Sequence, residues 1–577
     1  MANFYRDNDD LQFVIKNVDW GKFVPMLEDD FKEAAEFEMA PKNLAEAKET
    51  YDMILDTVGQ VAAEVIAPDA AEVDKIGAKL VDGVVHYAPP TVKHIAQLKE
   101  LGLMGMTLPR RFGGQNLPET LYTAANELIA RADSGLMTIF SLQGCAETIN
   151  FFASEELKEK YLPPTASGEK LHAMALTEPN SGSDLGSVKT KATAVDEAKG
   201  LYKINGSKQF ITNGCADIIL TLARSEEGST DARGLSLFIV EKGPLVQVAR
   251  IEEKCGIHGS PTCVLVYNDA PGYLVGKRKR GLTQYVFQLM FGARLGIAIQ
   301  AIGIAQGALE CAKKYTSERK QFGTILKDFG QIRQILIADE VDLEAARALV
   351  YETAVLVDIR VAVERMMEKH PEKADALKPE LKKYEKLCDT VTPIAKYVAT
   401  ELVNRIASDA IQVHGGYGFT REYPAERFFR DARITNIYEG TSQIQARAAV
   451  PGILSGNIEG YFVELSASVP ATGPVGEMRK KADGMRSTLG RTVNFVKEQL
   501  KDEESIAIIR RELTDIACDV LQSYYLLRQA AKSARKVIVA RKFMHDASFR
   551  VKSNSEKIFS RARFEIEDFE KIMDERN

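Results

Sequence analysis

The sequence predicts an α+β protein whose layers follow one another along the chain: an N-terminal helical domain, a central β-barrel or sandwich domain, a C-terminal four-helix bundle and an additional C-terminal helical domain. Three observations predict it. Apolar residues recur at helical spacing from Phe4 to Gly168 and again from Leu282 to Val450. Short β-rich runs fill the stretch between them. A Pro/Gly-rich stretch then precedes a last helical segment. Runs of helices and strands kept apart indicate segregated layers rather than alternating βαβ units.

Taken in order, residues 1–40 form an N-terminal extension and 41–169 the first helical domain. Within it Leu121, Ala124, Ala125 and Leu128 fall on one helical face. Residues 170–282 form the β domain. Leu201 to Lys203, Asn205–Gly206 and Lys208 to Thr212 read as a strand, a turn and a return strand. Ile218–Ala223, Leu235–Val240 and Cys263–Tyr267 read as further strands. Residues 283–450 form the bundle, with a charged insert near 364–389 broken by Pro371 and Pro379. Residues 451–476 read as a linker and 477–577 as the extra helical domain.

Composition narrows the function classes. With 45% apolar and 27% charged residues, the chain can bury a large core and is not disordered. Its net charge of −6 argues against a whole-protein nucleic-acid binder. Seven cysteines without a C-x-x-C pair point away from a disulfide scaffold and towards a cytoplasmic compartment. The segment Gly292 to Ala312 is interrupted by Arg294, Gln300, Gln306 and Glu310, which suits a buried helix better than a membrane span. Asp7, Asp9 and Asp10 stand where a secretory signal needs an apolar core. The dinucleotide, phosphate-loop, serine-hydrolase and zinc-protease signatures do not occur, and no metal site is expected.

Four loops carry the chemistry instead: Ala175 to Asp184 (ALTEPNSGSD), Phe210 to Gly214 (FITNG), Gln412 to Gly418 (QVHGGYG) and Ile437 to Gln445 (IYEGTSQIQ). Each alone is an ordinary turn. Together with ARLGIAIQAIGIAQGAL and SERKQFG, in this order, they resemble the flavin-dependent acyl-CoA dehydrogenases over about Ala45 to Ala449. The two extensions and GIHGSPTCVLV at Gly256–Val266 resemble the long bacterial branch that includes the 3-methylmercaptopropionyl-CoA dehydrogenases.

The resemblance implies FAD as cofactor and an acyl-CoA thioester as substrate. Glu439 is then the base that takes the α-proton; the family's other base position is Ala293 here, which cannot serve. Flavin and nucleotide contacts are implied for Met174, Leu176, Thr177, Ser183, Phe210, Thr212, Arg319, Phe322, Gln412, Gly415, Gly416, Thr441 and Gln443. Substrate contacts are implied for Ser183, Arg294, Tyr438 and Gly440. Relatives carry Phe-Gln where this chain has Phe329–Gly330–Gln331, so that glutamine is displaced by one. His258, where many relatives have Arg, is expected to be structural, and Cys255 and Cys263 to be packing residues. An electron-transfer flavoprotein is the implied electron acceptor, and a homodimer or homotetramer the implied assembly. An acyl-CoA oxidase and a DNA-associated alkylation-response relative share the fold and stand as alternatives.

Within Arg528–Arg563 eleven basic residues face two acids, a local excess of nine positive charges. Such a run could contact an anionic or membrane surface peripherally, and more often is a solvated face or docks on acids of the same assembly.

Overall fold

A computed structural model describes residues 2–560 and 562–574. The chain divides into two compact units, Met1–Ala308 with His414–Thr435, and Leu309–Val413 with Asn436–Asn577.

The first unit begins with helices. Helix α1 (Leu44–Val61) is capped by Asn43, whose side chain accepts from the N–H groups of Ala45 and Glu46. It buries Ala47, Tyr51, Leu55 and Val58, one face at helical spacing. Helix α2 (Glu119–Ala132) is buried almost all round, Thr123, Asn126 and Glu127 included. A small antiparallel hairpin, Lys79–Val81 with Val84–His86, interrupts the helices, turning at Asp82 and Gly83 with left-handed backbone at both. Its VDGV turn lies in a segment that the helical patterning had covered.

Seven strands follow: β1 (His172–Ala175), β2 (Lys191–Asp196), β3 (Leu201–Thr212), β4 (Ile218–Arg224), β5 (Leu235–Glu241), β6 (Val246–Ile251) and β7 (Thr262–Leu274). The pairings β4–β2–β3–β7–β5–β4 close a ring, so the domain is a barrel, with β1 added to β4 and β6 to β7. Strands β4 and β5 are buried on both faces, which is why their sequences run apolar without alternation. Phe238 and Ile219 point to a core shared with Tyr202, Leu265 and Tyr267. Leu220, Leu237 and Ile239 pack against Tyr161, Leu162 and Tyr285 on the other side.

The hairpin expected at Asn205–Gly206 is instead one continuous strand. Gly206, at φ 145°, sits in a bulge opposite β7, and Asn205 Nδ2 donates 2.7 Å to Asp269. Pairing along the whole of β7 outweighs the local turn preference.

Helix α3 (Phe287–Glu318) leads out of the first unit. Including its first turn, Gly281–Glu318 is long and apolar enough to cross a membrane by length and composition, and 56% of its most apolar window is buried, as a core helix also is. In the second unit α4 (Gly330–Lys369) and α5 (Ala374–His414) are joined by the turn Pro371–Lys373. Pro379 lies inside α5 and does not break it. The Pro/Gly-rich stretch 451–476 is likewise mostly helical: Pro451 lies inside α6 (Ser442–Ser455), and Glu459–Ala467 is a helix. Helices α7 (Gly473–Gln499), α8 (Glu503–Ala530) and α9 (Ala534–Ser560) form the appended block. The architecture is therefore the expected one: helices, a closed β barrel, a helical bundle and extra C-terminal helices.

Candidate active site

In the first unit the loop after β1 and the end of β3 are fastened together. Gln209 N–H donates 2.9 Å to the Thr177 carbonyl. Beneath that bond Lys208 Nζ, wholly buried, donates to the Leu176 carbonyl at 2.8 Å and to Glu178 Oε1 at 2.9 Å. The Glu178 carboxylate also accepts from Lys189 N–H, Thr190 N–H and Thr190 Oγ1. Burial pulls the Lys208 amine down to about 8. Burial works the other way on Glu178, but the Lys208 charge and the Thr190 and Lys189 donors outweigh it and hold the carboxyl below its usual range.

This pairing presents a small platform. Phe210 stands at φ 61° in the bulge between Lys208 and Ile211, with 58% of its surface exposed. Thr212, Met174 and Thr177 are half-buried and Leu176 is buried. An exposed aromatic ring on a strained bulge, with Thr177 and Thr212 in the two joined segments, suits a flat heteroaromatic ligand. Ser183 is exposed at the far end of the same turn, which closes on itself through Glu178 and Ser181. Arg294 is half-buried on α3.

A second feature of this unit pins the GIHG segment. The Ile257 N–H donates 2.5 Å to Asp431 Oδ1, and Arg430 Nη2 lies 2.7 Å from Asp74. His258 Nδ1 lies 2.9 Å from the same Asp74 carboxylate, whose hydrogen bond raises the imidazole's affinity for its proton. His258 thus has a structural ion-pair setting. Burial pushes Asp431 up to about 7.

In the second unit Glu439 sits at the turn that leads into α6. It is half-buried and holds φ 53°, with Gly440 following at φ 88°. Left-handed backbone at a non-glycine residue persists only where the surroundings hold it. Three side chains do so. Lys396, buried on α5, donates from Nζ to the carbonyls of Tyr438 at 2.7 Å and Gly440 at 2.5 Å. Gln445 Nε2 donates to the carbonyls of Glu439 and Gly440, both at 3.0 Å. Glu401 accepts from Ser442 Oγ at 2.6 Å and Asn436 Nδ2 at 3.0 Å. Thr441 caps α6 through the Ile444 N–H, while Gln443 is exposed.

The remaining expected positions lie at exposed turns. Phe322, 95% exposed at φ 50°, forms with Gly323 a tight turn between Lys320–Gln321 and Thr324–Ile325, and Arg319 is exposed beside it. Gln412 is exposed on the last turn of α5. Gly415, at φ 62°, ends that helix in the left-handed conformation a glycine adopts without strain, and Gly416 is open to solvent.

Sequence comparison decides what this arrangement is. Three family models match in order: acyl-CoA dehydrogenase N-terminal domain over residues 48–169, middle domain over 173–270 and C-terminal domain over 279–453. The chain belongs to the acyl-CoA dehydrogenase family.

Among the relatives, a short-chain-specific acyl-CoA dehydrogenase of Clostridium acetobutylicum is 34% identical over 401 residues, 68% of this chain and 95% of its own length. A 3-methylmercaptopropionyl-CoA dehydrogenase of Ruegeria pomeroyi is 33% identical over 436 residues, covering 70% of this chain and 71% of its own. A crystal structure of an acyl-CoA dehydrogenase from Bacillus anthracis complexed with FAD superposes with a TM-score of 0.76 at 25% identity, covering 91% of this chain and 90% of the other. As a member of this family the chain is an enzyme acting on acyl-CoA.

Set against the acyl-CoA dehydrogenase motifs, reading the sequence missed Lys208, Lys396, Glu401 and Gln445. Two were visible as anomalies, a lysine in the strand run KQFIT and another in the apolar helix segment PIAKYVA, where a charge needs a partner. Cys263 is buried as expected, whereas Cys255 is exposed. Five of the eleven basic residues are met by acids of their own unit: Arg528 by Glu352, Arg535 and Lys536 by Glu344, Lys542 by Asp546 and Arg550 by Asp519. Arg561 lies outside the described residues.

Proposed function

We propose that this acyl-CoA dehydrogenase family member removes two hydrogens from an acyl-CoA thioester to give the trans-2-enoyl-CoA, with Glu439 as the base. The observation that carries the reading is the Glu439 backbone, held left-handed at φ 53° by buried donors on the carbonyls around it. A carboxylate so fixed on a half-buried loop is equipped to accept a proton at one place.

The Glu439 carboxylate takes the proton from Cα, and the Cα–H electrons form the new double bond as a hydride leaves Cβ. When bound, FAD supplies the acceptor for that hydride at flavin N5. Phe210, Thr177, Thr212, Met174 and Leu176 would hold its ring, and the exposed aromatic with its two hydroxyls fits that task. Ser183, Arg319, Phe322, Gln412, Gly415, Gly416, Thr441 and Gln443 would serve its diphosphate and adenine, several of them within a homodimer or homotetramer. The Glu439 N–H would donate to the thioester carbonyl and acidify the α-proton, an oxyanion-type contact. Tyr438, Gly440, Arg294 and Ser183 would line the acyl-CoA. An electron-transfer flavoprotein would take up the electrons.

The test is Glu439→Gln. The variant retains FAD and loses turnover; substantial residual dehydrogenation removes Glu439 from the role. Peroxide release during turnover would mark an oxidase instead.

A further inference from the structure

Three consecutive carbonyls in the Glu439 loop end on two buried side chains. Lys396 Nζ serves residues 438 and 440, and Gln445 Nε2 serves residues 439 and 440. Both Lys396 and Gln445 are 0% exposed. The two peptide units that flank the Glu439 Cα are therefore fixed on each side, at a backbone angle that an L-residue abandons when released. Burying a lysine among apolar helix neighbours is costly unless its donors are used. Here two of them are used on the loop, so the cost is offset where the loop is set.

The helix that carries Lys396 is itself tied to the appended block. Its next residue, Tyr397, donates 2.8 Å to Asp515 on α8. One turn on, Glu401 accepts from Ser442 and Asn436 at the two ends of the loop, and Arg511 of α8 donates 3.2 Å to its other oxygen.

We propose that Lys396, with Gln445, is a positioning residue for the reaction: it sets the direction of the Glu439 carboxylate by fixing the backbone on which that side chain stands. The appended helix α8 steadies the segment of α5 from which Lys396 acts. The proposal rests on the reading of Glu439 as the base.

The experiment compares Lys396→Met with the unaltered, FAD-loaded enzyme, using an acyl-CoA with and without deuterium at Cα. Methionine keeps the volume and removes the donors. The expected result is an unchanged flavin content and a kcat lower by about 10²-fold, the order expected for a reacting group misplaced by about 1 Å. The α-deuterium isotope effect on kcat rises, because proton abstraction becomes the slow step. Independently of turnover, amide hydrogen exchange at residues 437–441 accelerates in the variant. Should Lys396→Met fail to fold, Gln445→Met removes donors from two of the same carbonyls and is read in the same way. A folded, flavin-loaded variant with unchanged kcat, isotope effect and exchange overturns the proposal. Failure of the underlying reading looks different: Glu439→Gln would then remain active, whereas failure of this proposal alone leaves Glu439→Gln inactive and Lys396→Met normal.

Discussion

Lys208 Nζ lies 2.9 Å from Glu178 Oε1, with the lysine 0% and the glutamate 7% exposed. The pair joins the end of β3, which carries Phe210, to the turn after β1, beside the Gln209–Thr177 backbone bond. Substituting Lys208→Met would leave the Glu178 carboxylate buried without a counter-charge. Breaking such a pair from one side costs about 3–5 kcal/mol. The expected outcome is a lower urea midpoint together with FAD loss on gel filtration; an unchanged midpoint would show that Thr190 and Lys189 suffice for the carboxylate.

Phe210 offers the complementary case. More than half of its surface faces solvent, so truncation removes little packing from the barrel. Phe210→Ala is expected to change the stability of the flavin-free protein by no more than about 0.5 kcal/mol. It should weaken FAD binding by about tenfold, the scale of one lost aromatic contact. Fluorescence titration of the stripped protein with FAD measures the affinity and urea melting the stability. Equal affinity in the two proteins would remove Phe210 from the flavin site.

How far the sequence revealed these features depended on the range of the interactions. The paired strands β4 and β5 were legible because burial on both faces leaves an uninterrupted apolar run. The loop around Glu439 was legible because its motif is local. The continuity of β3 was not, since Asn205–Gly206 carries turn chemistry and only pairing with β7, more than fifty residues away in sequence, overrides it. Pro379 and Pro451 read as breakers, yet both sit at exposed positions within helices, each at the cost of one backbone bond. Lys396 reaches a loop 42 residues along the chain, and no local pattern announces such a partner.

Asp431 supplies a pH signature. Burial raises its carboxyl to about 7; the Ile257 N–H and the Arg427 charge pull it down, while Asp74 and Asp133 push it further up. An unfolded aspartate titrates near ~4. Between about 4 and 7 the folded chain therefore holds a proton that the unfolded chain has released, and stability falls as pH rises through this window. Asp431→Asn keeps an oxygen for the Ile257 N–H and abolishes the titration. At pH 8 the variant should be the more stable protein, by about 1–3 kcal/mol, and its Tm should decline less between pH 5 and pH 8. A parallel decline in both proteins would place the titration elsewhere.

Glu344 decides what the basic run does. It is 1% exposed, with Arg535 Nη2 and Lys536 Nζ each 2.5 Å from one of its oxygens, and Lys536 is itself 2% exposed. Glu344→Gln would remove the buried carboxylate that Arg535 and Lys536 share, at a cost of about 3–5 kcal/mol. Exposed pairs of the same helix behave differently: Lys552 and Glu556, 3.9 Å apart and mostly in solvent, contribute at most about 0.5 kcal/mol. Thermal melts of Glu344→Gln and Glu556→Gln should therefore separate clearly. Because Arg528, Arg535, Lys536, Lys542 and Arg550 are already matched by acids within their own unit, the net field they present outward is small. The full chain is accordingly expected to show no salt-sensitive pelleting with anionic vesicles. Pelleting that salt reverses would mean that these ion pairs yield to a membrane surface, and would turn the local charge excess from an internal fastening into a docking face.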